Sequence, residues 1–209
     1  MVPTRGAGHG VRMRRLISLS FVLGAIVLAS LAGTTRAHGA LLPNCGSTSQ
    51  VFRAWSDLSP YYFASNGGFE NGATGWTLSG PASLATGNDP YRLSGAGSHA
   101  LLLGTGGTAS ISVCYGLTYP AIRFVAAGAN GPAVVHVRIV SRSLLGVLST
   151  LDGGRFVVPA GWEAAPKLST LFSALAAPLG TSSMTVQISV ESGSADIDDL
   201  YVDPLFTKA

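Results

Sequence analysis

From residue 67 onward the chain alternates short apolar runs with Gly, Ser, Asn and Pro punctuation about every ten residues. Val135, Val137 and Ile139 fall on one side of an extended segment, with His136 and Arg138 on the other. Met184, Val186, Ile188 and Val190 alternate with Thr185, Gln187 and Ser189 in the same way. Period two over such lengths predicts half-buried antiparallel strands. The same reading predicts strands over 67–70, 76–78, 100–103, 109–114, 122–126, 133–141, 144–150, 156–158, 184–190 and 197–202. Residues 168–179 are the one stretch with any helical character, and no internal repeat is visible. About ten short strands predict an all-β fold, an antiparallel β-sandwich or jelly roll.

The first 37 residues read differently. Arg5, Arg12, Arg14 and Arg15 precede an uncharged apolar run from Leu16 to Ala32, and small residues follow up to Thr35-Arg36-Ala37. That order is a secretory signal peptide cleaved after Ala37, which makes the protein secreted. The alternative is an uncleaved anchor, because the run sits at the lower edge of what spans a bilayer, and the protein would then be membrane-tethered. The domain reading is therefore a signal peptide over 1–37, an irregular extension over 38–65 and a β-sandwich over 66–205.

This division changes the meaning of the charge. The formal net charge is +3, yet five arginines lie in the leader, which has no acidic residue. The remainder carries eight basic against ten acidic residues, so no basic patch is left for nucleic acid. After leader cleavage no membrane contact is expected, and the reading is of a monomer. Export also gives the cysteines meaning. Only Cys45 and Cys114 are present, and outside the cell two cysteines read as one disulfide.

Two segments carry a resemblance. Asn66-Gly67-Gly68-Phe69-Glu70 with Gly75-Trp76 opens the sandwich, and Ile197-Asp198-Asp199-Leu200-Tyr201-Val202 closes it, with Gly97-Ser98-His99-Ala100-Leu101-Leu102-Leu103 between. The pattern resembles CenC-like carbohydrate-binding modules, galactose-binding-domain-like jelly rolls, over about residues 66–204. The whole resembles secreted actinobacterial proteins carrying such a module. The resemblance implies a glycan partner, a polysaccharide or cell-wall glycan, and a structural calcium where the first and last strands meet. Glu70, Asp198 and Asp199 are the metal candidates it points to, since calcium takes carboxylate and carbonyl oxygens. Strict alternation puts Asp198 on one face with Leu200 and Val202. The alternative is that these acids are turn or edge residues.

Glycan binding needs hydrogen-bonding side chains and aromatic rings in a groove. Arg123, His136, Arg138 and Gln187 occupy polar strand positions, and Tyr91, Tyr115, Tyr119 and Trp162 offer rings. The ligand candidates are Arg123, His136, Arg138, Gln187, Trp162 and Tyr119, against the alternative of ordinary solvated strand faces.

Catalytic patterns are scarce. Glycoside hydrolysis needs two carboxylates across a groove. Neighbours Asp198 and Asp199 on one strand are expected on opposite faces. No G-x-S-x-G elbow is present, and Gly104-Thr105-Gly106-Gly107 is no phosphate loop. One enzyme reading stays open. Cleavage after Ala37 would expose His38, the start used by copper polysaccharide monooxygenases, with His99 or His136 as second ligand. The reading as a whole is a secreted, non-catalytic, glycan-binding-like β-sandwich with calcium as its cofactor. The alternative is an envelope-associated structural or protein-interaction module.

Overall fold

The computed structural model describes residues 45–116, 120–168 and 181–204. The leader, His38, Tyr119 and nearly all of the stretch with helical character lie outside the described residues. Among the described residues there are eleven strands: β1 (Tyr62–Phe63), β2 (Trp76–Ser79), β3 (Ala82–Thr86), β4 (His99–Gly104), β5 (Thr108–Val113), β6 (Ala121–Gly128), β7 (Ala133–Ser143), β8 (Leu148–Val158), β9 (Glu163–Ala164), β10 (Thr181–Ser192) and β11 (Ser194–Asp203). They form two antiparallel sheets. One runs β2-β5-β10-β7-β8. The other runs β3-β4-β11-β6-β9, with β1 paired to the far half of β11.

The alternating apolar positions face one another between the sheets. Val135, Val137, Ile139, Met184, Val186, Ile188 and Ile111 meet Leu101, Leu103, Ile122, Phe124, Ile197 and Leu200 in one core. This is the aligned, two-layer burial that half-apolar strands require.

Three expected strand assignments change. Residues 67–70 are a chain of tight turns. Asn66 and Phe69 take positive φ, and the Asn66 side chain bonds to Asn71 N, Gly72 O and Thr74 O. Phe69 is fully buried against Trp76, and the Trp76 indole donates to Asn66 O. Gly67 is required because a Cβ there would sit 2.7 Å from Leu200 O. The opening motif is thus a plug fastened to the last strand. Residues 144–147 are the turn of the β7–β8 hairpin, and the two strands expected over 144–150 and 156–158 are one strand, β8. Gly153-Gly154 reads as a break but forms a bulge in the ladder opposite Val137 and Arg138.

The extension packs on the outer side of the six-stranded sheet. A short 3₁₀ turn (Arg53–Trp55) places Phe52 with Tyr61, Val125 and Tyr201 in a second, smaller core. Cys45 and Cys114 form the disulfide, across a sequence separation of 69, and join this segment to the end of β5.

Candidate functional site

Two places carry the chemistry. The first lies where the last strand breaks its alternation. In the β11–β6 ladder Asp198 faces Val125, but Tyr201 faces Arg123, so β11 carries one extra residue between them. Asp199 takes that position with φ +49°. The bulge corrects the face expected for Asp198. Leu200 and Val202 enter the main core, while Asp198 points to the outer side with Val125. It also brings Asp198 and Asp199 together instead of on opposite faces.

The third member of this cluster is Asp89, from the loop between β3 and β4. One carboxylate oxygen from each of Asp89, Asp198 and Asp199 lies within 4.8 Å of the others, and all three residues are buried. The loop is hung on them. Asp89 N donates to Asp198 Oδ2 at 3.1 Å, and Ser94 N to Asp199 Oδ2 at 3.1 Å. Ser94 Oγ donates to Asp199 Oδ1. Asp89 Oδ1 accepts from Tyr91 N at 2.7 Å and Arg92 N at 3.0 Å. Burial, with the neighbouring Asp199 charge, pushes the Asp89 carboxyl up to about 6. Burial pushes Asp198 up to about 7 even though it accepts backbone N–H bonds.

Glu70 belongs elsewhere. It accepts from Ser98 N (2.8 Å) and His99 N (2.9 Å), with His99 Nδ1 at 3.4 Å. Burial would raise its carboxyl, but these donors outweigh that and hold it below its usual value. Glu70 therefore pins the start of β4, and Asp89 stands where the sequence reading put Glu70. The trace of Asp89 in the sequence is the Asn88-Asp89-Pro90 turn, whose side chain is as consistent with a turn as with a ligand.

The second place is the outer face of the five-stranded sheet. Cross-strand pairing aligns Thr77, Ser110, Gln187, Arg138 and Asp152 in one row spanning all five strands. The next row holds Ser79, Thr108, Ser189, His136 and Arg155. His136, Arg138 and Gln187 are thus brought together, as neighbouring β7 and β10 require. His136 is buried between two carboxylates. Its Nε2 lies 2.8 Å from Asp152 Oδ1, and its Nδ1 lies 2.9 Å from Glu191 Oε1, in ion-pair range but without hydrogen-bond alignment. Arg155 Nε holds Glu191 at 2.8 Å and Nη1 reaches Asp152 at 3.3 Å. Donation from Gly154 N and His136 holds Asp152 low, and Arg155 does the same for Glu191. Arg138 makes no ion pair among the described residues. No described Phe, Tyr or Trp side chain points out of this face.

Arg123 is on the other sheet and under the extension, a correction to its place among the ligand candidates. Its Nε donates to Ala165 O at 2.8 Å and its Nη1 to Asp57 Oδ2 at 2.9 Å, and its guanidinium lies 4.8 Å from the Phe52 ring centre. It is a buried clamp. Trp162 is also on that side, half-buried against the second core.

Neither a protein family nor a curated protein matches the chain by sequence. Solved structures share its fold. The CBM22-1–GH10 modules of Clostridium thermocellum endo-1,4-β-D-xylanase 10B, complexed with xylohexaose, superpose with a TM-score of 0.53 at 14% identity over 69% of this chain and 29% of theirs. The CBM22-1–CBM22-2 tandem domain of Paenibacillus barcinonensis Xyn10C gives 0.51 at 15% identity, over 69% of this chain and 44% of its own. The C-terminal family 22 carbohydrate-binding module of the Clostridium thermocellum xylanase gives 0.48 at 18% identity, over 71% and 96%. The architecture is the jelly-roll sandwich of carbohydrate-binding modules. At these identities the likeness is one of fold, and the sites must speak for function.

Proposed function

We propose that this is an exported, non-catalytic glycan-binding module that lays a polysaccharide across the outer face of its five-stranded sheet. The observation that carries the reading is the row Thr77–Ser110–Gln187–Arg138. Four hydrogen-bonding side chains from four adjacent strands line up on one face. At strand spacing the five-strand row is roughly 19 Å long, a length suited to a chain of sugars. The structural neighbours named for xylohexaose and for carbohydrate binding support the same partner class. Catalysis finds no support at the acidic cluster. Its three carboxylates are buried beneath a loop, which leaves no room for a substrate.

The reading includes a structural calcium at Asp89, Asp198 and Asp199. The donor set fits. All the ligands are hard oxygens, as calcium takes. Asp89 Oδ2 is buried without a hydrogen-bond partner. Gly68 keeps the cradle open, because a Cβ there would stand 3.3 Å from Asp199 Oδ1 and 3.5 Å from Asp198 Oδ1. No Lys or Arg among the described residues pairs with the three acids. A bound divalent cation would supply the missing positive charge and fix the loop to β11.

The test is affinity electrophoresis through gels containing soluble xylan, β-1,4-galactan or solubilised cell-wall glycan. Retardation of the wild-type protein by one of these is expected. Arg138→Ala with Gln187→Ala should weaken it by about tenfold or more, the cost of losing a charged hydrogen bond. A wild-type protein that none of the glycans retards would remove the reading.

A further inference from the structure

Opposite the hydrogen-bonding face, the extension builds a surface of a different kind. Trp55 ends the 3₁₀ turn, Tyr91 comes from the β3–β4 loop, and Trp162 precedes β9. The Trp55 and Tyr91 rings meet with centres 4.8 Å apart and planes at 85°. The Tyr91 hydroxyl donates to Trp162 O at 2.7 Å. Both tryptophans pack on the second core, and Tyr91 is 41% exposed. Its backbone N–H, and that of Arg92, are fixed by Asp89 Oδ1. An exposed tyrosine ordinarily samples several rotamers. This one is held at its hydroxyl, its ring and its backbone while much of its surface stays open to solvent.

We infer that Trp55, Tyr91 and Trp162 form a second glycan contact, one that binds a pyranose ring by stacking. The inference rests on the glycan-binding reading above and adds a surface to it. Three arguments choose the sugar. Tryptophan and tyrosine are apolar bodies with polar tips, which match the apolar C–H face and hydroxyl rim of a pyranose. Two nearly perpendicular rings form a corner, which receives one ring-shaped ligand better than a flat partner surface. Pre-set rings bind without the ordering cost that flexible ones carry. Among the described residues the sheet face has hydrogen-bonding groups and no Phe, Tyr or Trp, whereas this face has them, so the two surfaces contact a glycan by different physics. A polymer long enough to engage two copies of the protein would be cross-linked by it.

The experiment is a titration of the full secreted protein with xylo-oligosaccharide and with β-1,4-galacto-oligosaccharide, read by tryptophan fluorescence and by protection from N-bromosuccinimide. Trp55 and Trp162 should be protected, and the buried Trp76 should contribute nothing. In the Arg138→Ala, Gln187→Ala background the fluorescence response should persist, and adding Tyr91→Ala should weaken it by about tenfold. Tyr91→Phe keeps the ring and should bind within about threefold of its parent. The melting temperature of each variant, read alongside, separates lost binding from lost fold. Glycan bound equally well with and without Tyr91→Ala would overturn this inference and leave the sheet-face reading intact. A wild-type protein that binds no glycan would overturn both.

Discussion

Arg123 shows how one side chain can be read correctly for polarity and wrongly for role. Alternation along β6 sets it apart from the core residues Ile122 and Phe124, and that pattern is visible in the sequence. Which surface that side meets depends on the extension, which carries no periodic signal. Asp57 supplies the counter-charge 2.9 Å away, and both side chains are about nine-tenths buried. Burial alone would raise the Asp57 carboxyl, but donors from Tyr61, Ser59 and Arg123 outweigh it and hold it below its ordinary value. Replacing one partner leaves the other charge buried without compensation. Asp57→Ala should therefore lower stability by about 3 kcal/mol in urea unfolding, far more than a surface substitution. A loss under about 0.5 kcal/mol would show that the extension is only loosely seated.

At the scale of elements, regular strands were legible and irregular backbone was not. β7 and β10, eleven and twelve residues long, announce themselves by the alternation over residues 135–139 and 184–190. β3, built from Ala82, Ser83, Leu84, Ala85 and Thr86, has too little apolar contrast to signal a strand, and it sits at a sheet edge. The β11 bulge was invisible because Asp199 is the extra residue, and nothing in Asp198-Asp199 tells a bulge from two alternating positions. The buried acidic cluster was legible in part for the same reason. Asp198 and Asp199 are where the resemblance pointed, while Asp89 is drawn in only by the folded loop. The bulge has a measurable consequence. Asp89 and Asp198 hold protons to higher pH in the folded chain than in the unfolded one. Without a cation, the folded state binds more protons between about pH 4 and pH 7, so its stability falls as pH rises through that window. A divalent cation replaces those protons and favours the ionised acids. Calcium should therefore raise the melting temperature over that in EDTA by several degrees near pH 7.5 and by little near pH 4.5, measured by scanning fluorimetry. Asp198→Asn should remove the difference. An equal response at both pH values would exclude carboxylate ligation.

On the scale of the molecule, the sandwich alone is the ordinary two-layer solution, and the extension adds a partial third layer. The disulfide fixes that layer covalently at one end, Arg123 and Asp57 clamp its middle, and β1 zips its other end to β11. Two cysteines in an otherwise exported-looking chain predicted the bond, but not what it fastens. Cys45→Ser with Cys114→Ser should cost about 4 kcal/mol, as expected for a closed loop of this length. The comparison is the melting temperature of the oxidised wild type against the double variant. No change would mean that the aromatic second core holds the extension unaided.

The strand order carries a further consequence for how the chain comes together. β10 lies at the centre of one sheet and β11 in the interior of the other, joined only through Gly193. Among the described residues they are the last strands made. Until they arrive, β5 has no bridge to β7, β4 has none to β6, and β1 waits for partners some 140 residues downstream. Contacts so distant in sequence make for slow, late closure, on the millisecond-to-second scale of β-sandwiches. A chain emerging N-terminus first would stay open until β10 and β11 arrive, and would then close both sheets together.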